Sequence, residues 1–342
     1  MKKTLLTTAL LALSSTAFAL ERVTAQSEHE TPGSIQRDGE YVVTWVTGRD
    51  TNTTVKYDTI TSGGVVDIRH APFRGNSTFS VEVDSIKTQG NKVYINTTAG
   101  DITLGDVEAA CIQAVTNNGN VRITGTLDIT DTDGAYIMAA PYGEGGSIVI
   151  DNATVKNVSI ETNLETGTIE ISGDVSLTDV YFQATTVAIA DGASLTLDNV
   201  IFADRGSYTQ GLVTEAVTGL ELGDNTTLTL SGNQPLEVAS LSIGSGVSFV
   251  VELSDEVFEN LDNTEINLFS IVGEEEDEID LAGAKFTFTN AAGTEAKSGT
   301  ITAGNGGSIT VTNSYTVAIP EPTTATLSLL ALAGLCARRR RK

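Results

Sequence analysis

The residues best equipped for chemistry in this chain gather between Gly63 and Arg74, where Asp67, Arg69, His70 and Arg74 lie close together. An acid, an imidazole and two guanidiniums could divide acid, base and anion-holding roles. On an extended strand, however, Asp67, Arg69 and residue 71 share one face while Ile68 and His70 share the other, so Asp67 pairs with Arg69 and His70 points elsewhere. Nucleophilic catalysis of the triad type needs a nucleophile held against a base. The chain has no Gly-x-Ser-x-Gly elbow and only two histidines, His29 and His70. The cluster is expected to be a salt-bridged capping strand.

Carboxylate pairs are the second kind of chemistry to consider, because two of them flank the bond in glycoside hydrolysis. Asp131 and Asp133 are near neighbours, but Asp131-Thr132-Asp133-Gly134 runs into Ala135-Tyr136-Ile137 and lacks the later ligands of a calcium loop. It reads as a turn. Gly145-Gly146-Ser147-Ile148 does not supply a glycine-rich calcium nonapeptide, and Glu274 to Glu278 reads as a solvated acid run. Cys111 sits in the apolar stretch Val107 to Val115 and reads as a small buried hydrophobe; the other cysteine, Cys336, lies near the C-terminus. No catalytic residue, metal or cofactor is expected from these patterns, and the chain reads as a non-enzyme.

The two ends carry stronger signals. Lys2 and Lys3 precede an apolar run from Leu5 to Leu13, and Ala17-Phe18-Ala19 offers the small-x-small pattern that signal peptidase reads. Cleavage is expected after Ala19, which makes residues 1–19 a signal peptide. At the other end Pro320-Glu321-Pro322 is followed by thirteen small or apolar residues, Ala325 to Ala337, and then by Arg338, Arg339, Arg340, Arg341 and Lys342. A spanning helix needs about 20 apolar residues, so this segment is a weak permanent anchor. The basic cluster resists translocation and is expected to stay on the cytoplasmic side, leaving the body outside. Pro320 and Pro322 favour an extended, exposed peptide that a processing enzyme can grip. The alternative reading is an ordinary short tail anchor.

That order of motif, short apolar segment and basic terminus resembles the PEP-CTERM sorting signal, over residues 320–342 only. The resemblance implies a substrate of an exosortase-like membrane transpeptidase in bacteria with two membranes. It further implies transient contact with the inner membrane and a final place at the cell surface, outer envelope or medium. It also implies cargo that accompanies extracellular polysaccharide and can itself carry sugars.

Between these signals the charge is lopsided. Residues 20–319 hold 13 basic and 43 acidic side chains, a net −30, and between Ile123 and Ala284 the only cations are Lys156 and Arg205. Such a surface repels nucleic acid, whose binding depends on Lys and Arg, and argues against a lyase acting on acidic glycans. High negative charge also keeps an exported protein soluble.

The elements that would position any site are short strands. Ile102-Thr103-Leu104, Val121-Arg122-Ile123, Ile148-Val149-Ile150, Ile169-Glu170-Ile171 and Val187-Ala188-Ile189 recur at steps of 19, 27, 21 and 18, with Leu220-Glu221-Leu222 beyond them and further strands between. Alternation buries one face of each strand, Gly, Asn and Asp permit tight corners, and stacked coils bury a core that one coil cannot. The expected fold is all-β, a right-handed parallel β-solenoid, with a β-sandwich or jelly roll as the alternative. Residues 20–40 read as a loose lead-in, 41–95 as N-terminal capping strands, 96–250 as irregular coils, and 251–319 as a closing unit with a short helix after Ser254. The coil, closing unit and tail together resemble autotransporter-like exported proteins of PEP-CTERM bacteria, though no membrane β-barrel follows. A structural or adhesive surface protein leads, with a solenoid enzyme on neutral glycans and a glycan-binding module as alternatives.

Overall fold

The computed structural model describes residues 22–23, 34–37, 41–45, 53–70, 78–131, 134–140, 146–163, 166–202, 218–271, 279, 281, 283–303 and 307–319. They form parallel coils stacked as a β-solenoid. The parallel pairing sets aside the sandwich and jelly-roll alternatives, which are built from antiparallel sheets. The described residues fall into two compact units, one within Met1–Ala188 and Asn199–Gly219, the other within Ile189–Asp198 and Leu220–Lys342.

In the first unit each coil supplies three short strands to three parallel sheets. The first sheet holds the triplets that recur in the sequence: Val81, Ile102, Val121, Ile148 and Ile169 stand in direct register and are fully buried. The second holds Ile60, Ile86, Val107, Leu127, Val155 and Leu177 in the same relation. The third runs through Val66–His70, Lys92–Thr97, Cys111–Thr116 and Tyr136–Ala139, with Ile68, Ile95, Ala114, Ile137, Ile160 and Phe182 pointing inward. Like residues therefore lie above like residues, and aliphatic side chains fill the narrow interior.

The strands over residues 41–95 join the parallel stack. Tyr41–Trp45, Thr53–Tyr57 and Thr59–Ser62 pair in parallel with the following coil just as later strands do. Tyr57 and Phe79 are fully buried core residues. Trp45 takes part in this pairing through its backbone.

Corners explain the Gly, Asn and Asp content. Asn157, Asp179 and Asn199 occupy the same corner of successive coils with φ of 57°, 52° and 52°, a left-handed conformation that Asn and Asp tolerate better than most residues. Asn199 Nδ2 donates to Asp179 Oδ1, and Asn157 Nδ2 to the Ile129 carbonyl, both at 2.5 Å. At another corner closeness decides: a Cβ on Gly119 would stand 2.1 Å from the Gly100 carbonyl oxygen.

Outside the second sheet the scarce cations are placed by register. Lys87 faces Glu108, Glu108 faces Asp128, and Asp128 faces Lys156 across consecutive coils, with Lys87–Glu108 at 2.5 Å and Lys156–Asp128 at 3.7 Å. Two adjacent acids are thus bracketed by two lysines. These side chains are about half exposed, so each pair contributes at most about 1 kcal/mol.

The second unit stacks Ser194–Asp198, Thr227–Ser231, Ser248–Glu252 and Lys285–Thr289 in parallel. Here the aliphatic column turns aromatic: Phe249 stacks on Phe286 at 5.2 Å and meets Phe269 edge-on at 5.8 Å. The helix after Ser254 forms over Asp255–Glu259 with Phe258 buried, though Ser254 makes no side-chain cap bond. Parallel pairing then stops. Lys285–Thr289 pairs antiparallel with Glu295–Ala303, which pairs with Ser308–Ala318, which pairs with Thr264–Asn267.

Register makes a sharp demand on stability. Ile148→Ala, at a fully buried rung, is expected to cost about 3 kcal/mol, whereas Val149→Ala on the outward side of the same strand should cost under about 0.5 kcal/mol. Denaturant midpoints of the two variants test this, and equal shifts would contradict the inward assignment.

Candidate functional site

The outer face of the third sheet concentrates side chains with recognition chemistry. Strand alternation turns Asp67, Tyr94, Gln113, Tyr136, Ser159 and Tyr181 outward, and the pairing sets them one above another. A neighbouring row carries Arg69, Asn96, Val115, Met138, Glu161 and Gln183. Coils follow one another at about 4.8 Å, so Tyr94 and Tyr136, two coils apart, stand about 10 Å apart with an amide between them.

The polar groups on this face are oriented by one another. Arg69 Nε donates to Asp67 Oδ1 at 2.7 Å, so the cluster singled out in the sequence is an ion pair on an interior coil of the stack. Tyr136 Oη donates to Gln113 Oε1 at 3.1 Å, and Gln113 Nε2 donates to the Gly134 carbonyl at 2.9 Å. The amide and the ring are thereby fixed while Tyr94, Gln113 and Tyr136 stay partly exposed. Farther along, Met138, Ser159 and Glu161 are buried although they point outward.

A polar groove of about 300 Å³ flanks this face at the corner that follows the third sheet, between Ser80, Asp101, Asn118 and Asn120. Its walls are a ladder. The Asp101 N–H donates to Ser80 Oγ at 3.0 Å, Asn120 donates to Asp101 Oδ1 through its backbone at 2.8 Å and its side chain at 3.2 Å, and Ser147 donates to Asn120 Oδ1. Face and groove offer rings, amides and hydroxyls beside the carboxylates of Asp67, Asp101 and Glu161, a set that can hold a hydroxyl-rich neutral ligand. In the more exposed part of the face the Asp67 carboxylate is engaged by Arg69.

The other candidate locus is where the chain leaves the folded body. The Ile319 N–H donates to the Thr294 carbonyl at 2.8 Å, one residue before Pro320. Upstream, Asp262 Oδ1 accepts from the Ser314 N–H at 2.5 Å and from Ser314 Oγ at 2.8 Å. These two bonds hold the Asp262 carboxyl below the usual carboxylate range, with Lys297 adding to the effect.

The sequence-derived sorting residues, Ala17, Ala19, Pro320, Glu321, Pro322 and Arg338 to Lys342, lie outside the described residues, as do Asp133 and the acid run 274–278. Asp131 enters a corner, its N–H donating to the Ala110 carbonyl at 2.8 Å, and Gly134 there has φ of 75°. Cys111 is fully buried, and burial pushes its thiol above the usual range despite Lys92. Among the described residues no three His, Cys, Asp or Glu side chains gather at metal-binding distance. The row of Tyr94, Gln113, Tyr136 and Tyr181 went unseen in the sequence, because each member sits alone in its own coil and only the register joins them. No family model, curated protein or solved structure matches the chain.

The Asp262 bonds set a pH dependence. A carboxyl with a lowered folded pKa contributes fully above the ordinary unfolded value of about 3.9, and that contribution is lost as pH falls through the lowered folded value. Asp262→Asn is expected to flatten the acid-side loss of protection in residues 308–318, read by hydrogen exchange from pH 5 downward, at about the pH values where carboxylates titrate. An unchanged acid profile would refute this role.

Proposed function

We propose that the chain is an exported, non-enzymatic structural or adhesive protein of the cell surface or extracellular matrix, delivered by its leader peptide and handed over at Pro320-Glu321-Pro322 to an exosortase-like transpeptidase. One observation carries the reading: an extended proline motif, an apolar segment too short to anchor alone, and five terminal cations follow one another at residues 320–342. The hydrogen bond from the Ile319 N–H to the Thr294 carbonyl supports it, since the motif begins at the next residue of the sequence. A body with net −30 and a repetitive, register-locked core suits a soluble spacer outside the cell.

Intact mass of protein recovered from envelope and medium tests the proposal. The expected species begins at Leu20 and has lost the basic terminus, and deleting residues 320–342 should change where the protein accumulates. Full-length protein in unchanged locations after that deletion would overturn the sorting role.

A second reading, a glycan-binding module, is favoured by the outer face of the third sheet. Tyr94 and Tyr136 present aromatic surface to the apolar C–H faces of sugar rings, and Gln113 and Asn96 present amides to their hydroxyls. The strongly negative body selects against acidic polymers and leaves neutral ones. On a panel of neutral polysaccharides, Tyr136→Ala is expected to weaken retention about fivefold with no release of reducing ends by parent or variant. Turnover lost on replacing an Asp or Glu would favour the enzymatic alternative instead.

A further inference from the structure

We propose that, before processing, the exposed edge carrying Tyr315 and Val317 rests in the headgroup boundary of the membrane that receives residues 325–337, seating body and tail together. This rests on the reading above, in which the apolar tail enters a membrane.

Three observations converge on a lipid surface as the occupant. Tyr315 and Val317 are the large hydrophobic side chains left exposed among the described residues, at 62% and 53%. They lie two apart on Ser308–Ala318 and so share one side of the strand. Tyrosine with a wet hydroxyl and an apolar ring is the side chain that favours the membrane interface.

Charge points the same way. Residues 298–320 contain no Asp, Glu, Lys or Arg, in a body that is otherwise strongly acidic. An anionic lipid surface repels acidic protein, so the uncharged stretch that follows Lys297 and carries Tyr315 and Val317 is a part of the body that approaches without that cost.

Chain length then fixes the distance. Ile319 is held by Thr294, and six peptide units separate it from Ala325, a reach of at most about 22 Å. With Ala325 at the hydrocarbon boundary, the end of the hairpin stays within about 22 Å of it, and Val317 lies only two residues before the fixed point. The thirteen-residue tail is too short for a firm anchor alone, and interfacial apolar contacts add to its hold.

The experiment is flotation of the full chain with vesicles of phosphatidylethanolamine and phosphatidylglycerol, beside the Tyr315→Ser/Val317→Ser variant and a deletion of residues 320–342. The double variant should bind about tenfold more weakly than the parent, the deletion more weakly still, and Tyr315→Trp in the full chain should be quenched by brominated lipid. Both replaced side chains are exposed, so unchanged thermal midpoints are the expected folding control. Equal binding by parent and double variant overturns the inference while leaving the tail's membrane role standing; a parent that does not float removes both. Normal flotation with slower trimming in cells assigns the edge to the processing enzyme, and loss only of self-association assigns it to a second copy, each overturning a lipid contact.

Discussion

Direct register between coils is the constraint on which the rest of the molecule depends. Each inward side chain packs against its counterparts one coil before and one coil after, as Ile148 does between Val121 and Ile169. A coil has no core of its own and acquires one only from its neighbours. The same rule that aligns the aliphatic interior also aligns the exterior. It places Lys87 and Lys156 on either side of two acids, and it gathers Tyr94, Gln113 and Tyr136 from strands far apart in the chain into one row.

Much of this was legible because the inward pattern is written in residue types. The triplets beginning at Ile102, Val121, Ile148 and Ile169 alternate β-branched or aliphatic residues with polar ones, and they form one sheet in the order read. The helix after Ser254 and the strand at Lys285–Thr289 were legible from an acidic first turn and from paired phenylalanines. Tyr57 and Phe79 differ in type from the aliphatic core residues of later coils. Pairing is decided by backbone geometry and burial, and at Tyr57 and Phe79 those are the same as in later coils.

The candidate site was legible only in part. Asp67 and Arg69 share a face by simple alternation, and their ion pair follows from that. What lies above them depends on how many residues each intervening corner consumes, and those corners vary in length. Tyr94 gives no local hint that Asp67 and Gln113 will be its neighbours. The proposed function therefore draws on two kinds of information: a linear one in the order of residue types over residues 320–342, and a stacked one on the third sheet, which exists only once the coils have formed.

The switch from parallel to antiparallel pairing at Lys285–Thr289 has a consequence for solution behaviour. A parallel stack ends in a rung whose N–H and C=O groups can template another copy. Here Glu295–Ala303 pairs antiparallel with Phe288 and Thr289 at the end of that rung, and Ser308–Ala318 pairs with Glu295–Ala303 in turn. A second copy arriving to extend the parallel stack there meets a rung whose end is already paired with a strand of opposite direction.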